Sequence, residues 1–138
     1  MRRVLIALFL TATMAVASNF SEAIKLYKSG DLTEAKKYFE QAYHDDGVET
    51  AGYFLGIYYA EGLAGVDKDY QKAKIYLEPA VRSGNVRAKC ALAKIYRLEE
   101  RPEMAQHVLG DIDQQTCERL TSSKRGVEHA TKNEAKKD

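Results

Sequence analysis

Little in this chain could be assembled into an active centre. Its 138 residues hold three histidines and two cysteines. His44, His107 and His129 are scattered, and none stands three or four residues from another His or from a Cys. His44 with Asp45 and Asp46 reads as a polar cluster at a helix end rather than a metal site. The absence of Cys-x-x-Cys excludes a thioredoxin-type redox motif and a paired zinc knuckle. No Gly-x-Ser-x-Gly elbow and no phosphate-binding glycine loop occur, and Gly62-Leu-Ala-Gly65 reads as a turn between helices. The expectation is therefore a protein that is not an enzyme, with no catalytic residue, no metal and no cofactor.

A charge excess is missing too. Lys and Arg number 21 against 20 Asp and Glu, a formal net charge of +1, which gives no global push toward nucleic acid or an anionic membrane. No stretch alternates with period two and β-branched residues, so strands are not expected. Beyond the N-terminus no run could span a bilayer. The N-terminus itself has the three parts of a secretory signal peptide: Arg2-Arg3, an apolar region from Val4 to Val16 broken by Thr11 and Thr13, and the small-residue box Ala15-Val16-Ala17. Residues 1–17 are thus read as a leader cleaved between Ala17 and Ser18, which places the mature chain in a periplasm or outside the cell with no membrane span. In an oxidising compartment Cys90 and Cys117 are most simply one disulfide, the rival being two free buried thiols.

What remains is helical pattern. Ala23, Ile24 and Tyr27 recur at helical spacing and stop at Gly30; Asp31, with Glu34 three residues on, resembles a capping box for a second helix carrying Leu32, Ala35, Tyr38, Phe39 and Ala42. A third helix, about Glu49 to Glu61, is apolar nearly all round and predicts neighbours on several sides. Asp69 caps a fourth, with Ala73, Tyr76, Leu77, Ala80 and Val81, in which Pro79 predicts a kink or early loosening. A fifth runs from about Val86 to Leu98. Pro102 opens a sixth that carries Met104, Ala105, Val108 and Leu109. Gly110-Asp111, with Gln114 three residues on, predicts a break and a short seventh helix from Ile112 to about Leu120; one helix continuing through Gly110 is the alternative. Residues 121–138 are Ser/Lys/Glu-rich with scarcely an apolar side chain and are expected to be a disordered polar tail.

The helices repeat. Gly47, Ala51, Leu55 and Tyr59 return as Gly84, Ala88, Leu92 and Tyr96, each about 37 residues on, a period that signals a helical repeat array. The run Ala51…Leu55-Gly56…Tyr59…Gly62, Gly65-Val66…Asp69…Lys72-Ala73…Tyr76…Ala80…Gly84 resembles the Sel1-like repeat, a tetratricopeptide-class helix pair. The match is strong over residues 48–84 and partial over 85–98, while 19–47 and 99–116 look like ordinary or degenerate tetratricopeptide pairs. Pro79, Ala93 in place of Gly and Tyr76 in place of a common Trp are its departures. The resemblance implies an all-α, right-handed α-α superhelical solenoid over residues 18–120, of about three helix pairs plus a short C-terminal capping helix. It also implies a scaffold for protein–protein contacts, often exported in bacteria.

In that class the first helix of each pair lines a concave face. The positions carried over are Ser21, Lys25 and Lys28; Tyr53, Ile57, Ala60 and Glu61; and Arg87, Cys90, Lys94 and Arg97. Lys25, Lys28, Tyr53, Ile57, Arg87, Lys94 and Arg97 form the expected binding surface, an apolar aromatic centre flanked by cations, suited to an acidic or carboxylate-bearing peptide of a partner in the cell envelope. The alternatives are an envelope enzyme or binder acting on peptidoglycan-type ligands, for which tyrosines would stack on sugar, and a structural subunit of an envelope machine. A seventh helix folding back across the stack would bring Cys117 to Cys90 and cap the last pair, whose apolar flank an array must cover. Closing a loop of that length stabilises by roughly 3–4 kcal/mol in the chain-entropy picture.

Overall fold

The computed structural model describes residues 19–121. The leader assigned to 1–17 and, apart from Thr121, the tail assigned to 121–138 lie outside the described residues. Within them the elements are α1 (19–29), α2 (Leu32–His44), α3 (Glu49–Glu61), a 3-10 turn (Leu63–Gly65), α4 (Tyr70–Arg82), α5 (Val86–Leu98), α6 (Pro102–Leu109) and α7 (114–121), and no strand occurs among them. Consecutive helices pack against one another from α2 to α6, and α3 also touches α5, so first helices line up beside first helices.

The boundaries follow from side-chain oxygens that take up orphan backbone donors. Asp31 accepts from the Glu34 amide at 3.3 Å, Asp69 from Lys72 at 2.9 Å and Asn85 from Ala88 at 3.0 Å. The capping box is half made: the Glu34 carboxylate pairs with Lys37 at 2.8 Å, and the Asp31 amide donates instead to the Leu26 carbonyl at 3.0 Å. The chain does break at Gly110, which takes φ 58° and ψ −119°, a region open to glycine. The cap of α7 is Asp113 rather than Asp111: its carboxylate accepts from the Thr116 amide at 2.7 Å and hydroxyl at 2.8 Å. These bonds hold the Asp113 carboxyl below its ordinary range. In α4 the helix runs through Pro79 to Arg82. The residue whose carbonyl loses a donor to Pro79 is Ile75, which stands 66% exposed, on the solvent side.

The middle of the stack is held by close approach. An ideal Cβ on Gly52 would lie 2.7 Å from the Tyr76 carbonyl oxygen and 2.8 Å from the Tyr43 ring; one on Gly56 would lie 2.5 Å from Leu77 Cγ. Two glycines one turn apart thus form a notch into which α4 presses with the Leu77 side chain and the Ala73 and Tyr76 carbonyls. On the α1 side the core is aromatic. Phe39 stacks on Phe54 at 4.4 Å, Tyr27 meets Phe54 edge-on at 5.3 Å, and Phe20 stands at 6.1 Å from both phenylalanines. Tyr58 donates to the Leu32 carbonyl at 2.6 Å, and burial drives its hydroxyl far above the ordinary phenol range.

At the other end Cys90 and Cys117 are disulfide-bonded across a separation of 27 residues, with Cα atoms 5.4 Å apart. Ile112 and Leu120 pack against the same core cluster, which joins Cys90 and Cys117 to Tyr53, Leu92 and Leu109. The bridge and the short seventh helix are thus one structure.

Candidate functional site

Aligning α1, α3 and α5 on Ala23, Leu55 and Leu92 sets Lys25, Ile57 and Lys94 at one level and Lys28, Ala60 and Arg97 at the next. Lys25, Lys28, Arg87, Lys94 and Arg97 are all exposed. Lys25 lies 3.6 Å from Glu22, a loose and solvated pair; the described carboxylates form no ion pair with the other four.

The aromatic centre expected between them departs from the sequence reading. Tyr53 is 5% exposed and Ile57 6%, and both belong to the core cluster that contains Ala88, Cys90 and Leu92. The reason is visible in the repeat. Tyr53 and Cys90 occupy equivalent positions on α3 and α5, and each is buried where a following first helix lies alongside: α5 beside α3, α7 beside α5. That flank is a stacking face rather than a groove face. Burial holds the Tyr53 hydroxyl above its ordinary value, opposed by the nearby charge of Arg87. What α3 leaves between the cations is a narrow floor of partly buried Ala60 over buried Ile57, with exposed Glu61 at its end.

Two further clusters escaped the sequence reading. Lys74 is 9% exposed and donates to both carboxylate oxygens of Glu99, at 2.8 and 2.9 Å, while Gln71 reaches the same carboxylate at 3.3 Å. The Lys74 ammonium and the Arg101 guanidinium sit 5.5 and 5.3 Å from the Tyr96 ring. This ties α4 to the turn after α5. The signal was available: Tyr70, Ala73, Lys74, Leu77 and Val81 recur at the spacing of one buried stripe, so Lys74 stands where an apolar residue belongs. In the second cluster Tyr59 and Tyr76 stack at 5.7 Å, with Lys72 at 4.5 Å and Lys36 at 5.8 Å from the Tyr59 ring. Lys36 pairs with Glu40, and the Tyr76 hydroxyl meets His44 Nε2 at 3.4 Å. Hydrogen bonding to Tyr59 raises the Lys72 ammonium above its ordinary value, and burial does the same for the Tyr76 hydroxyl. Both clusters join neighbouring pairs.

For chemistry the arrangement offers little. Among the described residues no three His, Cys, Asp or Glu side chains stand together as a metal would need, and no helix is long and apolar enough to cross a membrane. His44 touches Tyr43 and Tyr76 at the end of α2.

Comparison with known families gives a match to the Sel1 repeat over residues 8–30, 28–46 and 51–85, more than half of the chain. The match takes in α1 and α2, which the sequence reading had set apart as ordinary or degenerate pairs, and its first segment begins inside the residues read as the leader. No curated protein and no solved structure matches the chain.

Proposed function

The chain belongs to the Sel1 repeat family, and from that premise we propose that it is an exported scaffold whose first-helix face binds an acidic or carboxylate-bearing peptide. Members of the family typically serve as non-enzymatic scaffolds for protein–protein interaction. The finer reading is carried by one observation. Lys25 and Lys28 on α1 stand at the same levels as Lys94 and Arg97 on α5, all four exposed, with the partly buried Ala60 of α3 between them. A small apolar floor between two cationic walls suits an extended segment that lays a short side chain inward and carboxylates outward.

Export is supported by two features. A single disulfide suits an oxidising compartment. Cleavage after Ala17 would also leave intact the Asn19–Asp46 hydrogen bond at 2.9 Å and the Phe20 contacts with Phe39 and Phe54. The tyrosines that a glycan-binding reading requires do not favour it, since Tyr53, Tyr58, Tyr59 and Tyr96 are core residues.

The test is fluorescence anisotropy of the purified chain with acidic peptides that carry a free C-terminal carboxylate, against their amidated and Gln/Asn-substituted forms. Lys94→Glu/Arg97→Glu is expected to weaken binding at least about tenfold while thermal unfolding stays unchanged, because exposed charge changes perturb stability little. Equal binding of the acidic and neutral peptides, or no effect of the double variant, would overturn the reading.

A further inference from the structure

We propose that the flank of α5 around Cys90 is a helix-accepting edge, plugged by α7 and locked by the Cys90–Cys117 disulfide, which on reduction takes α7 from a second copy of the chain. The repeat supplies the first argument. Tyr53 and Cys90 are equivalent, and both are buried where the next first helix packs. For α3 that helix is α5, which is backed by α6. For α5 it is α7, which has no second helix behind it among the described residues. The slot is therefore the one in which an array continues, occupied here by a short stand-in.

The second argument is how α7 is held. It spans residues 114–121, short of the roughly 12–15 residues a helix needs to persist alone in water. Its Asp113–Thr116, Gln114–Glu118 and Thr121–Cys117 hydrogen bonds are all local and travel with it. The disulfide and the apolar contacts of Ile112, Cys117 and Leu120 tie it to the rest of the fold. Opening the covalent bond removes its one covalent tie to α5 and leaves the apolar seat.

The third argument selects the occupant. The seat is shaped to Ile112, Cys117 and Leu120, and each copy carries both that segment and the seat. The connection from α6 is short, Gly110 to Asp113, and pivots on a glycine at positive φ. Reciprocal exchange of such an element remakes every contact between copies and closes as a two-fold dimer. The chemistry balances: a dithiol reductant delivers two electrons and two protons, its thiolate attacks one sulfur of the bridge, its second thiol resolves the mixed disulfide, and the products are two cysteine thiols and the oxidised reductant.

Full chains carrying Cys90→Ser and Cys117→Ser are purified reduced, then incubated alone and mixed in a glutathione redox buffer. The Cys117→Ser chain keeps the seat with Cys90, and the Cys90→Ser chain keeps α7 with Cys117, so the expected bridge can form only between copies. Non-reducing electrophoresis should show a linked heterodimer at least about tenfold above the dimer of either variant alone, with Cys90 joined to Cys117 in the peptide map. A heterodimer no more abundant than those homodimers overturns the proposal. Should either variant have lost its helical circular dichroism, the wild-type chain decides: reduced, concentrated and reoxidised, it should yield interchain Cys90–Cys117 links. Homotypic Cys90–Cys90 and Cys117–Cys117 links in equal measure, or purely intrachain bridges, contradict it.

Discussion

The α3–α4 pair and the α5–α7 end solve one problem by different means. Between α3 and α4 the surfaces interlock: Gly52 and Gly56 let α4 approach until Leu77 and the Ala73 and Tyr76 backbone fill the notch, and neighbours on both sides bury α3. No covalent bond is needed there. At the C-terminal end of the described residues an eight-residue helix stands where a further pair would begin, held by a disulfide, while a partly sheltered ion pair, Lys74–Glu99, ties α4 to the turn after α5. Here the interior pair is stabilised by shape, the α5–α7 end by a staple.

The contrast is sharpest under substitution. Gly52→Ala sets a methyl against the Tyr76 backbone, which cannot rotate away as a side chain does, and is expected to cost about 3 kcal/mol or more in denaturant unfolding. Cys117→Ser should cost up to roughly 3–4 kcal/mol, and by amide exchange the damage should be confined to α7 and the α5 flank. If both variants loosened the same amides, the two regions would be one cooperative unit and the comparison would fail. Lys74→Ala should lose about 2 kcal/mol, below the range for a fully buried pair because Glu99 is partly solvated. Lys74→Met should lose less, since it keeps a buried aliphatic stem in the α4 stripe although it gives up the ammonium's contact with Tyr96. The smallest effect is that of the α7 cap, with Asp113→Ala loosening the first turn of α7 and leaving global unfolding almost unmoved. The Asp113 carboxyl is depressed in the folded state, so its contribution is complete above the ordinary Asp range and is lost as pH falls through the depressed value. Exchange in α7 should accelerate with acid earlier than exchange in α3, after correction for the intrinsic rate.

Much of this was legible beforehand, because repetition and capping are written locally. The 37-residue return of Gly47, Ala51, Leu55 and Tyr59 marks the pairs; Asp31 and Asp69 mark two starts; and Gly110 marks the break that brings Cys117 back to Cys90. The misses concern what lies beside a helix. Tyr53 and Ile57 stand on the α3 surface that α5 covers, and a helical wheel shows which side a residue takes but not which neighbour occupies that side. The second Asp after Gly110 became the cap because Ile112 is drawn into the core cluster, which places the helix start after it. Lys74 was hidden by its charge, although its spacing within the stripe betrayed it. The cations of the first-helix face were readable as exposed residues; that they flank Ala60 rather than an aromatic centre required the packing.

Amide hydrogen exchange on the intact chain, before and after reduction with dithiothreitol, tests the difference between the two regions most directly. At concentrations low enough to keep the chain monomeric, reduction should release the α7 amides to near-unprotected rates while those of α3 and α4 keep their protection. Unchanged protection of α7 after reduction, or simultaneous loss throughout α3, α4 and α7, would contradict the claim that the interior is held by shape and the end by its staple.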